Sequence, residues 1–172
     1  MALSQENLEN GIKNLLDNPN PDAADAAEQW KKVIVDFFSE IVIAAPPEPT
    51  ALLPTYKGLL QSGISFDGLE KDLAFSGLLT VAVTLAADEV VKNTLPVFPI
   101  PPPPPSPPGQ SLVSSIPPLA FLPPVFETED DAIGVTSGDI AKEISEAIYN
   151  WAITGITVST IAPAAPVTVN WS

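Results

Sequence analysis

The chain contains no cysteine, no histidine and no arginine. Without histidine it lacks the usual general base near neutral pH. Without cysteine it has no thiolate nucleophile, no thiolate metal site and no disulfide, so thiols say nothing about redox compartment. Without arginine there is no bidentate clamp for phosphate or carboxylate. Positive charge is scarce altogether: the 7 cations, all lysine, stand against 21 acids, for a net charge of −14. Such a chain repels a nucleic-acid backbone. Charged residues make up only 16%, where about a quarter is usual.

Long hydrophobic runs are missing as well. The most apolar stretch, Leu73 to Ala87, lies between Asp72 and Asp88. It falls short of the roughly 20 residues a bilayer span requires, and its flanks lack a cationic bias, so a buried helix is expected and no membrane span. The opening Met1-Ala2-Leu3-Ser4-Gln5-Glu6 is acidic and polar, unlike the basic start and apolar run of a signal peptide.

What is present is apolar and rich in proline. The 172 residues are 45% hydrophobic, enough for one domain or two small lobes with a core and unlike a disordered chain. Leu8, Ile12, Leu15 and Leu16 form a helical stripe, capped by Ser4 and stopped by Asn18-Pro19-Asn20-Pro21. Asp22 can cap a second helix whose apolar face is Ala23, Ala27, Trp30, Ile34, Phe37, Phe38 and Ile41, ending at Ala44 to Pro49. A third helix is expected from Thr50 to about Gln61, with Gly63 as its terminator. A fourth is expected from Ser65 or Asp67 to Asn93, with Leu69, Leu73, Leu78, Leu85 and Val90 in phase. Its β-branched Val81, Val83, Val90 and Val91 keep a partial strand alternative open.

From Pro96 to Pro124 the chain carries most of its 21 prolines. This composition favours extended polyproline II, which has no internal hydrogen bonds. Apolar residues are interleaved densely with these prolines, so the segment is expected to lie on a surface of this chain or of a neighbour. A last helix is expected over Ser137 to Thr154, starting at Ser137 and Asp139 and stopped by Gly155. Ile156 to Ile161 and Val167 to Ser172 read as short strands or extended arms. Ala27–Phe38 and Ala141–Ala152 echo each other weakly, a pattern that generic amphipathicity explains as well as duplication.

The expected fold is therefore mainly α: about five helices in a compact bundle, a long proline-rich extended arm, and a short β or extended C-terminal tail. Three stretches follow: a helical region at 1–95, the arm at 96–126, and a helix with tail at 127–172 packed on the first.

No catalytic, cofactor or metal residues can be nominated. Glu127, Glu129, Asp130 and Asp131 form a consecutive acidic run without the convergence a glycosidase needs or the spacing of an EF-hand. No Ser-x-x-Lys, Gly-x-Ser-x-Gly or Gly-x-x-x-x-Gly-Lys occurs, which leaves serine activation and phosphate loops without a basis. An acid-dependent hydrolase stays a remote alternative. Phe98-Pro99-Ile100-Pro101-Pro102 has the aromatic-Pro-x-x-Pro look of a polyproline ligand, but the nearest cations are Lys92 and Lys142.

Two stretches carry a resemblance. The helix Ala147-Ile148-Tyr149-Asn150-Trp151-Ala152-Ile153-Thr154-Gly155 with the tail Val169-Asn170-Trp171-Ser172 is similar to small virion structural proteins of tailed bacteriophages. So is the opening, with Gly11-Ile12-Lys13 and Ala27-Glu28-Gln29-Trp30. That resemblance implies a repeated subunit of a particle (capsid decoration, neck, or tail and baseplate) located in the virion after assembly in the host cytoplasm. It carries over no functional residues. The expected partners are other structural proteins and copies of the chain itself, with no nucleic acid and no small-molecule substrate. Candidate interface residues are Phe98, Ile100, Pro103, Leu119, Phe121, Phe126 and Trp171. The contrasting expectation is an adaptor whose proline-rich segment is the ligand of a polyproline-binding module.

Overall fold

The computed structural model describes residues 3–40, 53–65, 68–93, 110–120, 122, 134–161 and 167–171. Among these residues five helices dominate: α1 (Gln5–Asp17), α2 (Ala23–Ser39), α3 (Leu53–Ile64), α4 (Gly68–Asn93) and α5 (Ser137–Ala152). Three short strands, β1 (Gln110–Ser115), β2 (Ile156–Ile161) and β3 (Val167–Asn170), form one antiparallel sheet in that order.

Local chemistry explains the helix starts. Ser4 accepts from the Asn7 amide at 3.1 Å, and the Asp22 carboxylate accepts from Ala24 and Asp25 at 2.9 and 3.0 Å. Each satisfies amide donors that the first helical turn leaves unpaired. At α5 the cap is Thr136, one residue before the expected Ser137. Thr136 and Asp139 form a reciprocal capping box, with the Asp139 carboxylate accepting from the Thr136 amide at 2.9 Å.

Two glycines expected to end helices do something else. Gly63 lies inside α3, buried, where an added Cβ would come within 2.9 Å of the Phe75 backbone on α4. Gly155 follows the last turn of α5 without the positive φ of a left-handed cap. A Cβ there would lie 2.4 Å from the Trp171 ring. Both positions need glycine for close approach, not for helix termination.

Residues 68–93 are helical throughout, which removes the strand alternative. The buried side of α4 is Phe75, Leu79, Ala82 and Ala86 at i, i+4, i+7 and i+11, with Ser76, Val83 and Ala87 beside it. Leu73, expected on the core stripe, is instead 64% exposed; its 200° offset from Phe75 places it on the other side of the helix. The core joins this face to Leu8, Ile12, Ala27, Trp30, Ile34, Phe37, Phe38, Tyr56, Leu60, Ile144 and Ile148. Helix α1 packs on α2 and α5, while α3 packs on α2 and α4. Trp30 meets Phe75 edge-on at 5.0 Å, and Phe38 meets Trp151 at 6.3 Å, the arrangement aromatic quadrupoles favour.

Strand β1 pairs with β2 over Gln110↔Ile161 to Ser115↔Ile156, and β2 pairs with β3 over Ile156↔Asn170 to Ser159↔Val167. Part of the proline-rich stretch thus belongs to a sheet with the C-terminal tail, an association that neither segment's pattern indicated. The expected course of the arm at 96–109, 121 and 123–126 lies outside the described residues.

Candidate functional site

The segment that follows β1 is held on the helices by three side chains. Trp151 Nε1 on α5 donates to the Pro117 carbonyl at 2.7 Å. On α4, the Ser76 hydroxyl donates to the Leu122 carbonyl. One turn later, Thr80 Oγ1 accepts from the Leu122 amide at 3.0 Å. The Thr80 hydroxyl proton goes to the Ser76 carbonyl at 2.8 Å, which leaves its lone pairs for Leu122. Both backbone polar groups of one buried residue are therefore satisfied by side chains a helical turn apart, as burial demands.

The Leu122 side chain is only 1% exposed, a burial that contributes about 1.5–3 kcal/mol relative to exposure. Ile116 and Leu119 pack half-buried against the same core, while Pro117, Pro118 and Ala120 face outward. Residues 116–120 with Leu122 form a strap whose anchored side chains, Ile116, Leu119 and Leu122, stand three positions apart.

The C-terminal tail is fixed comparably. The Trp171 amide donates to the Gly155 carbonyl at 2.9 Å, and its ring lies over Gly155, 3% exposed. Of the sequence-nominated interface residues, Leu119 is half-buried and Trp171 is buried, both against this chain's own core. Phe98, Ile100, Pro103, Phe121 and Phe126 lie outside the described residues. The structure thus brings Leu119 and Trp171 onto one core and turns both inward. Ser76, Thr80 and Trp151, the three side chains that hold the strap, were not nominated as a set. Hydroxyls at i, i+4 and i+8 (Ser76, Thr80 and Thr84) inside the apolar run Leu73 to Ala87 were the available signal, since such groups need a partner when buried.

Among the described residues, the large apolar side chains exposed within a helix are on α4. Leu73 and Val81, 64% and 45% exposed, stand two turns apart on α4 with Gly77 between them. Among the described residues no three acidic side chains are grouped so as to hold a metal ion. No described helix is long and apolar enough to cross a membrane.

Among the described residues, the titratable group most perturbed by its surroundings is Tyr56. Its hydroxyl is buried with no hydrogen-bond partner among the described residues. Burial, and then the negative charges of Glu89 and Asp88, push its pKa well above the ordinary phenol range. A phenol held neutral in this way is a poor base and a poor nucleophile. The chain matches no family model, no curated protein and no solved structure.

Proposed function

We propose that this chain is a non-enzymatic structural subunit of a repeated protein assembly, of the kind found in tailed-bacteriophage virions, and that it acts by packing against protein neighbours. The observation that carries this reading is the exposed pair Leu73 and Val81 on α4, flanking Gly77. A helix face of this composition lets a second backbone approach closely and removes apolar surface from water when covered. The low charged fraction of 16% supports the same reading, because a covered surface needs little charge. The proline-rich arm contributes in the same sense. A chain already stiff when unfolded loses less entropy on docking.

Light scattering coupled to size exclusion tests the proposal. The wild-type chain is expected to associate. A double variant, Leu73→Glu with Val81→Glu, is expected to stay folded, because both sites are exposed, and to elute as a monomer. A monodisperse wild-type monomer whose proline-rich segment is freely cleaved by protease would overturn the assembly reading in favour of an adaptor. Mass spectrometry of purified phage particles tests the virion assignment separately.

A further inference from the structure

The strap is bound in the manner of a peptide ligand. Trp151 gives its indole proton to a proline carbonyl, and Ser76 and Thr80 take the two backbone groups of Leu122. Proline cannot donate a backbone hydrogen bond, so a proline-rich peptide is held largely through its carbonyls and through apolar side chains at every third position. Aromatic grooves that bind polyproline II segments work this way. Here the carbonyl is that of Pro117 within Ile116-Pro117-Pro118. The deep anchor is Leu122, and the outward residues Pro117, Pro118 and Ala120 leave the hydrogen-bonded side turned to the helices.

We propose that α4 and α5 form a polyproline-binding groove, filled in the isolated chain by its own residues 116–120 and Leu122, and that in the assembled state a second copy's strap, carried with its β1, takes this place. The second copy rests on the assembly reading; the groove does not. The strap is tethered on both sides, by residues 94–109 after α4 and by residues 123–133 before the start of α5, which can span no more than about 55 and about 40 Å, so a neighbour must lie within the shorter reach. Recognition of backbone groups makes a neighbour's identical strap an equal ligand. In dilute solution the tethered strap wins, because its effective concentration is on the order of millimolar. Neighbouring copies fixed in a particle offer a comparable local concentration.

A second triplet, Ile100-Pro101-Pro102, supplies a built-in comparison. It repeats the Ile-Pro-Pro of the strap but has Ser106 where the strap has Leu122.

The test uses the full-length chain and a fluorescent synthetic peptide of residues 114–124, followed by anisotropy. Leu122→Ala loosens the tethered strap without altering the groove. This variant should bind the peptide at least tenfold more tightly than wild type does. Adding Trp151→Phe should weaken that binding at least tenfold, and a peptide of residues 98–108 should bind at least tenfold more weakly. Should Leu122→Ala fail to fold by circular dichroism, Leu119→Ala serves in its place. No binding to the folded variant, or no effect of Trp151→Phe, overturns the groove.

Exchange between copies is read by cysteine pairing. Ser114 and Thr157 are register partners, and the chain has no cysteine of its own. Ser114→Cys and Thr157→Cys chains, unfolded and refolded together at high concentration under oxidation, should form a disulfide-linked heterodimer in excess over either homodimer. Its absence overturns exchange. A chain that associates by light scattering but gives no heterodimer keeps the assembly reading and loses this one.

Discussion

Replacing Gly155 with alanine isolates one contact that decides where the C-terminal tail goes. The backbone there has no positive φ, so alanine can adopt it. Restricting the unfolded chain would then stabilise the protein by about 0.4–1 kcal/mol. The added Cβ, however, would lie 2.4 Å from two atoms of the Trp171 ring, where ordinary contact begins at 3.4 Å. The ring must withdraw by about 1 Å from a site where it is 3% exposed. Overpacking of this kind costs about 1–3 kcal/mol. Expulsion of the ring sets a ceiling of about 3–5 kcal/mol, the cost of truncating a buried tryptophan. The steric effect wins, and a net loss of about 1–3 kcal/mol is expected in urea unfolding followed by far-ultraviolet circular dichroism. A double-mutant cycle makes the cause explicit. With Trp171→Ala already present the clash is gone, so Gly155→Ala should then be neutral or stabilising by up to about 1 kcal/mol. Additive losses from the two substitutions would refute the reasoning, as would a stabilised Gly155→Ala single variant.

Two further outcomes follow from the same structure. Gly63→Ala should lose about 1–3 kcal/mol despite alanine's better helix propensity, because its Cβ meets the Phe75 backbone at 2.9 Å. Gly58→Ala, on the same helix with nothing within 4 Å, should gain about 0.5–1 kcal/mol; equal effects at the two sites in urea unfolding would contradict the close α3–α4 approach. Asp17 takes hydrogen bonds from Lys13 on its own helix and from Ser137 at the start of α5, which hold its pKa below the usual carboxylate value. A pKa lowered by folding adds stability above the unfolded-state value and loses it as pH falls through the folded-state value. Asp17→Asn should therefore be less stable than wild type at pH 7 and indistinguishable from it near pH 2 in thermal unfolding; a difference that persists in acid would disprove the linkage.

Features that depend on neighbours along the chain were legible from the residues. Ser4 and Asp22 announced the starts of α1 and α2, and the apolar spacing of Leu8, Ile12 and Leu15, or of Trp30, Ile34 and Phe37, announced their buried sides. A cap is a bond spanning two or three residues, and a helix face repeats every 3.6, so both lie within a short window. The absence of histidine, cysteine and arginine was equally plain. Helix α4 was harder, because its leucines are scattered around the axis. Burial there follows Phe75, Leu79 and two alanines, and the contacts of α2 and α3 select that side.

The sequence by itself determined five helices, an apolar chain stiffened by proline, and the lack of the commonest catalytic and phosphate-clamping side chains. Tertiary structure decided which polar and small residues mattered. Gly63 and Gly155 looked like helix stops until other elements arrived against them. Ser76 and Thr80 had no place in the helix pattern read from the sequence; Leu122, more than forty positions away, supplies the backbone groups they bind. Trp171 was expected at an interface, and the structure lays it over Gly155 of its own chain. Each depends on the meeting of segments far apart in the chain, and no local periodicity encodes which segments meet.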